Sequence, residues 1–135
     1  MPEGRKSMIF LDKQSRIPVY EQLVKAFEKE IILGILEPDT LIPSVRSLSN
    51  TLSVNPNTVQ KAYLELERRS ITYSVPGVGR FVSPEGAAIL KKDVAKDEGM
   101  LKEAIVNLKR ADYSEEQLVD LVRRFYQEEG GMEND

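Results

Sequence analysis

The sequence predicts a mainly α-helical chain with one small β-hairpin: three short helices, the hairpin, then two longer helices. Three observations carry that reading. Apolar residues recur at helical spacing from Pro18 to Arg69 and again beyond Ala87. After Arg68-Arg69 the period of the pattern drops from about 3.6 to about 2. Residues that start helices, namely Ser44, Asn55-Pro56 and Ser114, stand where the apolar stripes open.

Met1–Ser7 is short and polar, contains Pro2 and Gly4, and reads as a frayed terminus. The first helix opens at Pro18, a residue favoured at the first helical position because it lacks an N–H that would go unpaired there. Tyr20, Leu23, Val24, Phe27 and Ile31 form its buried face, and Gly34 ends it. Glu37-Pro38-Asp39 is a turn. Ser44 caps a second helix with Val45, Leu48 and Leu52 as its stripe, and Asn55 caps a third with Val59, Ala62, Tyr63 and Leu66. About three residues separate the two, with Val54 filling the corner, which is a helix-turn-helix layout. Ile71, Tyr73 and Val75 then alternate with Thr72 and Ser74 as a half-buried strand requires. Pro76–Gly79 turns the chain, and Arg80-Phe81-Val82 returns as the partner strand. Three helices followed by a hairpin is the winged-helix order. Ser83–Gly86 is punctuation, which divides the chain into a winged helix-turn-helix over 1–83 and a two-helix tail over 84–135. In the tail, Leu90, Val94, Leu101, Ile105 and Leu108 mark one stripe, with Gly99 as a weak point. Ser114–Gln117 is a capping box, and Leu118, Leu121, Val122 and Phe125 mark a second stripe. Two amphipathic helices cannot enclose a core, so the tail is expected to pair with a second copy of the chain.

The 135 residues include no Cys, His or Trp. That removes imidazole bases, thiol nucleophiles, disulfides and zinc sites with nitrogen or sulfur ligands. Gly77-Val78-Gly79 lacks the third glycine of a dinucleotide fingerprint, and no Gly-Lys-Ser/Thr phosphate loop occurs. Carboxylate chemistry remains open, but no Asp/Glu group stands at telling spacing. No catalytic residue, cofactor or metal is expected. No apolar run approaches the roughly 20 residues of a membrane span, and Met1–Lys13 has no signal-peptide core, so a cytoplasmic chain is expected. The net charge of −3 divides unevenly: residues 1–83 carry 11 Lys+Arg against 9 Asp+Glu, residues 84–135 carry 8 against 13. This permits nucleic-acid binding in the first part without arguing for it.

The third helix supplies a more specific hint. Opposite its apolar face, near its start, it presents Asn57, Thr58, Gln60 and Lys61. Asn and Gln can pair bidentately with adenine, and Thr can bond a base edge or touch a thymine methyl. A recognition helix reaches the major groove with its N-terminal residues. Any surface helix has a polar face, so the order of elements and the clustering at one helix start carry the weight.

Ile42-Pro43-Ser44-Val45-Arg46-Ser47-Leu48, followed by Val54-Asn55-Pro56-Asn57-Thr58-Val59, resembles the operator-binding core of GntR-family bacterial transcriptional regulators. The short length, the Asn-Pro-Asn-Thr-Val run, the two-helix tail and the opening Ser15–Leu23 look most like the YtrA subfamily. The resemblance covers about residues 8–130. It implies a transcription factor, usually a repressor, acting as a homodimer on an inverted-repeat operator in double-stranded DNA. By resemblance, Arg46 is set against DNA backbone or a guanine edge, and Asn55, Asn57 and Thr58 take capping and phosphate- or base-contacting positions; the helix N-terminus, aided by Ser44 and Asn55, can also attract a phosphate through its free N–H groups. Gln60 stands where many relatives carry arginine, Lys61 is expected to neutralise phosphate, and Gly77 matches a wing-tip glycine.

Two departures stand out. The subfamily's wing is often basic, whereas Val75, Pro76 and Val78 surround the glycines here and Arg80 is the wing's only charge. Relatives also usually place glycine after the recognition helix, where this chain has Ser70. The tail is too small to wall a pocket. A small-molecule effector, unidentified from the residues, would therefore sit at the dimer interface or the domain junction. The competing reading from another class is a winged helix that binds protein through its apolar wing and acidic tail.

Overall fold

The computed structural model describes residues 9–134, with side chains to residue 128. The expected frayed stretch Met1–Ser7 lies outside the described residues. Three helices, α1 (Val19–Ile32), α2 (Val45–Leu52) and α3 (Pro56–Arg68), precede an antiparallel hairpin of β1 (Thr72–Val75) and β2 (Gly79–Val82). Helices α4 (Gly86–Arg110) and α5 (Glu115–Asn134) follow.

Each start and stop has a local cause. Pro18 precedes α1 rather than opening it, with φ −55° and ψ 145°, and its carbonyl accepts from the amides of Glu21 and Gln22. Gln22 clamps the incoming chain: its Oε1 accepts from the Asp12 amide, and its Nε2 donates to the carbonyls of Asp12 and Ile17, each at 2.8 Å. At the far end of α1 the amide of Ile35 reaches back to the Glu30 carbonyl, closing the helix around Gly34. Ser44 Oγ accepts from the Ser47 amide at 3.0 Å, and Asn55 Oδ1 from the Asn57 amide at 2.8 Å. Both caps stand where the sequence places them. Val54 half-fills the corner between α2 and α3, where its amide donates to the Ser49 carbonyl and its carbonyl accepts from Ser49 Oγ.

The hairpin pairs Thr72 with Val82 and Val75 with Gly79. The loop before α2 lies along β2: Leu41 bridges to Phe81, the Ile42 amide donates to the Arg80 carbonyl, and the Val82 amide donates to the Thr40 carbonyl. A Cβ on Gly79 would meet Leu41 Cδ1 at 2.8 Å, so the Leu41 side chain would have to turn aside, and φ 147° is itself a conformation that other residues rarely adopt. The alternation expected along the first strand is not what is buried. Ile71 and Thr72 are both buried while Ser74 and Val75 are exposed. Burial in this two-stranded hairpin follows distance from the helices rather than strand face.

Leu23, Phe27, Val59, Tyr63, Leu66, Ile71 and Val82 are the largest fully buried side chains, so α1, α3 and the root of the hairpin share one core. The compact unit built on them takes in the described residues up to Lys13 and then Ile17–Lys91, beyond the Ser83–Gly86 punctuation. Ser83, Gly86 and Leu90 are all buried, so that turn is packed into the unit and the start of α4 completes its core.

The second unit contains α4 from Lys92 onward and α5. Ser114 and Gln117 form the expected capping box, with the Ser114 amide donating to Gln117 Oε1 at 2.8 Å and the Gln117 amide donating to Ser114 Oγ at 3.1 Å. Val94, Leu101 and Ile105 on α4 and Val122 and Phe125 on α5 are exposed.

Ser70, just past the end of α3, adopts φ 62°, and the Ile71 amide bonds back to the Leu66 carbonyl to close the helix. A left-handed conformation costs a non-glycine residue about 1–2 kcal/mol, partly offset by glycine's larger unfolded-state entropy. Ser70→Gly is expected to raise stability by about 0.5–1 kcal/mol, read as a higher urea midpoint with unchanged slope. A lower midpoint would contradict the strain assigned to this turn.

Candidate nucleic-acid interface

Tyr63 sets the geometry of the two helix starts. Its ring is fully buried edge-on against Phe27 of α1, with centroids 5.6 Å apart and planes at 75°. Its hydroxyl donates to the carbonyl of Pro43 at 2.8 Å. Pro43 immediately precedes the α2 cap, so one side chain ties α1, α3 and the entry to α2. On another side the Arg80 guanidinium lies 5.4 Å from the ring centroid. Burial pushes the Tyr63 hydroxyl well above the ordinary tyrosine range, against a smaller opposing pull from Arg80.

The predicted residues fall into three groups. Ser44 and Asn55 spend a side-chain oxygen on capping, which holds the first turns of α2 and α3 in shape. Arg46, in the first turn of α2, is exposed. On α3, Glu65 takes both Nε and one terminal nitrogen of Arg68, at 3.1 and 2.7 Å, and Glu67 accepts from Ser74 Oγ. Thr58 is half-buried.

Asn57, Gln60 and Lys61 line one shallow groove on the outer side of α3. Leu64, Glu65 and Arg68 complete its lining, and sequence reasoning passed over all three. The spacing 57, 60, 61, 64, 65, 68 follows the i, i+3, i+4, i+7, i+8, i+11 rule of one helix face, so extending the pattern by two turns would have found them. Arg68 hydrogen bonding holds the Glu65 carboxyl below its usual value, so the acid on this face stays charged and paired. Lys61 Nζ sits 3.9 Å from the centroid of the Tyr20 ring, which steadies a flexible cation at the edge of the groove.

The wing differs in character. Gly77 occupies the exposed tip with φ 78°, and Val78 is also exposed. Arg80, the wing's one charge, is turned inward over Tyr63, with Nε 3.6 Å from Glu67 Oε1 and without a hydrogen bond. Among the described residues no cluster of three or more His, Cys, Asp or Glu could hold a metal, and no helix is long and apolar enough to cross a membrane.

Residues 19–82 match the family model described as bacterial regulatory proteins, gntR family. The HTH-type transcriptional repressor YtrA of Bacillus subtilis (strain 168) is 34% identical over 132 residues, which cover 95% of this chain and 100% of that protein. The chain belongs to the GntR family. A solved GntR family transcriptional regulator from Listeria monocytogenes, 31% identical, aligns with a TM-score of 0.63 over 84% of this chain and 98% of that one. A crystal structure of AraR(DBD) in complex with operator ORX1, 32% identical, aligns with a TM-score of 0.50 over 55% of this chain and 92% of that one. The winged-helix order read from the sequence is therefore that of the GntR fold, and the likeness to YtrA extends through both helices of the tail.

The Tyr63 arrangement has a measurable consequence. The hydroxyl is neutral in the folded chain at pH values where an unfolded tyrosine ionises, so its contribution is intact below about pH 10 and is lost as pH rises further. Tyr63→Phe is expected to lose about 1 kcal/mol at neutral pH, because the Pro43 carbonyl goes unpaired. The same variant should lose less stability than the parent between pH 10 and 11, by about 1 kcal/mol. Equal losses in urea titrations at the two pH values would contradict a buried, neutral Tyr63.

Proposed function

We propose that this GntR-family chain is a sequence-specific DNA-binding repressor that pairs with a second copy of itself and sets the outer stripe of α3 into the major groove of an inverted-repeat operator. The observation that carries the reading is that stripe. Asn57, Gln60 and Lys61 share one groove beginning in the first turn of a helix whose opposite face is fully buried, so the polar side chains are presented on a rigid rod. Arg46 adds an exposed cation from the first turn of α2, and Thr58 and the capped helix start add polar groups beside it. The similar proteins, a transcriptional repressor and a DNA-binding domain in complex with its operator, point the same way.

In this reading residues 1–83 bind DNA and residues 84–135 pair the subunits. Apolar side chains left exposed on α4 and α5 would be covered by the partner copy. Pairing fixes the two-fold relation and spacing of two recognition helices, which an inverted repeat requires. A small-molecule effector would bind between the paired subunits. The protein would act in the cytoplasm, at the nucleoid, with no catalytic role. Gly77 would approach the duplex through its backbone, and Arg80 would support the wing from beneath rather than reach phosphate.

Mobility-shift titrations test the interface. Affinity should fall steeply with salt, as phosphate contacts release counterions. Arg46→Ala is expected to weaken operator and random DNA by similar factors, about tenfold each, and Gln60→Ala to lose discrimination at one base pair by a comparable factor. Unchanged binding in both variants would move the interface off these helices.

Sedimentation equilibrium tests the pairing. The parent should run at twice the chain mass, whereas Ile105→Asp combined with Phe125→Asp should run as a monomer and bind a full inverted repeat at least about tenfold more weakly. A parent that stays monomeric at concentrations where it binds the repeat would contradict the paired arrangement.

A further inference from the structure

Leu64 is the one feature of the α3 stripe that capping, phosphate neutralisation and amide-to-base pairing leave unexplained. On this helix Val59, Ala62 and Leu66 are completely buried, whereas Leu64 is 50% exposed and lies in the groove with Asn57, Gln60 and Lys61. A branched apolar side chain has no favourable contact with phosphate. Set against a base edge that carries only donors and acceptors, it would strip water from polar groups and return nothing. The major groove offers one apolar group, the C5-methyl of thymine. The neighbouring polar side chain does not compete for that place, because Glu65 is held in a two-nitrogen fork by Arg68.

We propose that Leu64 is a specificity-determining residue that reads a thymine methyl. The proposal rests on the α3-in-groove reading above and adds a base to it. Gln60 and Leu64 are four residues apart on one helix face, so their Cα atoms are offset by about 6 Å along the axis. With base pairs stacked about 3.4 Å apart, a helix lying along the groove sets Leu64 roughly two steps from the pair met by Gln60. The read sequence then contains an adenine opposite the Gln60 amide and, about two pairs away, a thymine whose methyl is covered by Leu64.

The test begins with full-length protein and selection of bound duplexes from random DNA. Each thymine in the selected operator is then replaced singly by deoxyuridine, which removes the methyl and leaves every hydrogen-bonding group in place. The parent protein should lose roughly fourfold in affinity at one thymine, the value of one buried methyl group. That thymine should lie about two pairs from the position blurred by Gln60→Ala. Leu64→Ala should bind the thymine and deoxyuridine duplexes equally at that position. Leu64→Gln keeps a good helix former on the exposed face and should also lose the methyl dependence, which separates readout from folding. If both variants keep the parent's methyl dependence, or the parent has none at any position, the assignment of Leu64 is overturned while the DNA-binding reading stands. If selection enriches no sequence, both are overturned.

Discussion

The hydroxyl of Tyr63 donating to the Pro43 carbonyl is the contact on which the rest of the first unit depends. A helix-turn-helix needs two helix starts held at a fixed offset, and a three-residue connection cannot impose that alone. The tyrosine does so because it is long enough to cross the core. Its ring fills the space against Phe27, and its polar end reaches the residue before the α2 cap. Burial of the ring supplies the bulk of the free energy, and the hydrogen bond supplies direction. A phenylalanine would keep the first and lose the second. The outer stripe of α3 can therefore carry amides, charges and one exposed leucine without costing the helix its place, since the opposite face is fully buried.

Charge is distributed in a way that the helix geometry makes sense of. The wing's only cation is turned inward over Tyr63 and toward Glu67, so the hairpin presents Val75, Val78 and the Gly77 backbone. Arg46 on α2 and Lys61 on α3 are exposed cations close to the two helix starts, with Lys61 steadied over Tyr20. In the proposed reading these two cations would attract a duplex beside the helix starts, where orphan amide groups would add to the pull. In the proposed reading a weakly charged wing would leave discrimination to the major-groove face, where amides and one leucine rather than several arginines would read the bases.

Much of this was legible in the sequence, for physical reasons that differ by element. Ser44, Asn55 and Ser114 declare helix starts because capping is a local interaction between residues two or three apart, and all three cap as read. The core stripes of α1 and α3 are equally plain, since 3.6-residue periodicity survives any tertiary arrangement. The inward turn of Arg80 could not be read, because it depends on Tyr63 and Glu67 lying beneath the hairpin. The continuation of the first unit to Lys91 was masked by the Ser83-Pro84-Glu85-Gly86 turn, which sequence alone treats as a boundary and tertiary packing absorbs through Ser83, Gly86 and Leu90. Leu64 was missed for a simpler reason: attention to amides and cations at a helix start stops short of an apolar residue two turns on. The Gln22 clamp on Asp12 has no periodic or motif signal at all, since it joins a side chain to backbone ten residues away.

The central claim is that the outer face of α3 touches the duplex. The chain has no native cysteine, so a single thiol can be placed at will. Asn57→Cys, carrying a short photoactivatable aryl azide, should cross-link to operator DNA on irradiation, whereas the same group on Asn107→Cys in α4 should not. Efficient cross-linking from position 107 and none from 57, with operator affinity preserved in both, would contradict the account.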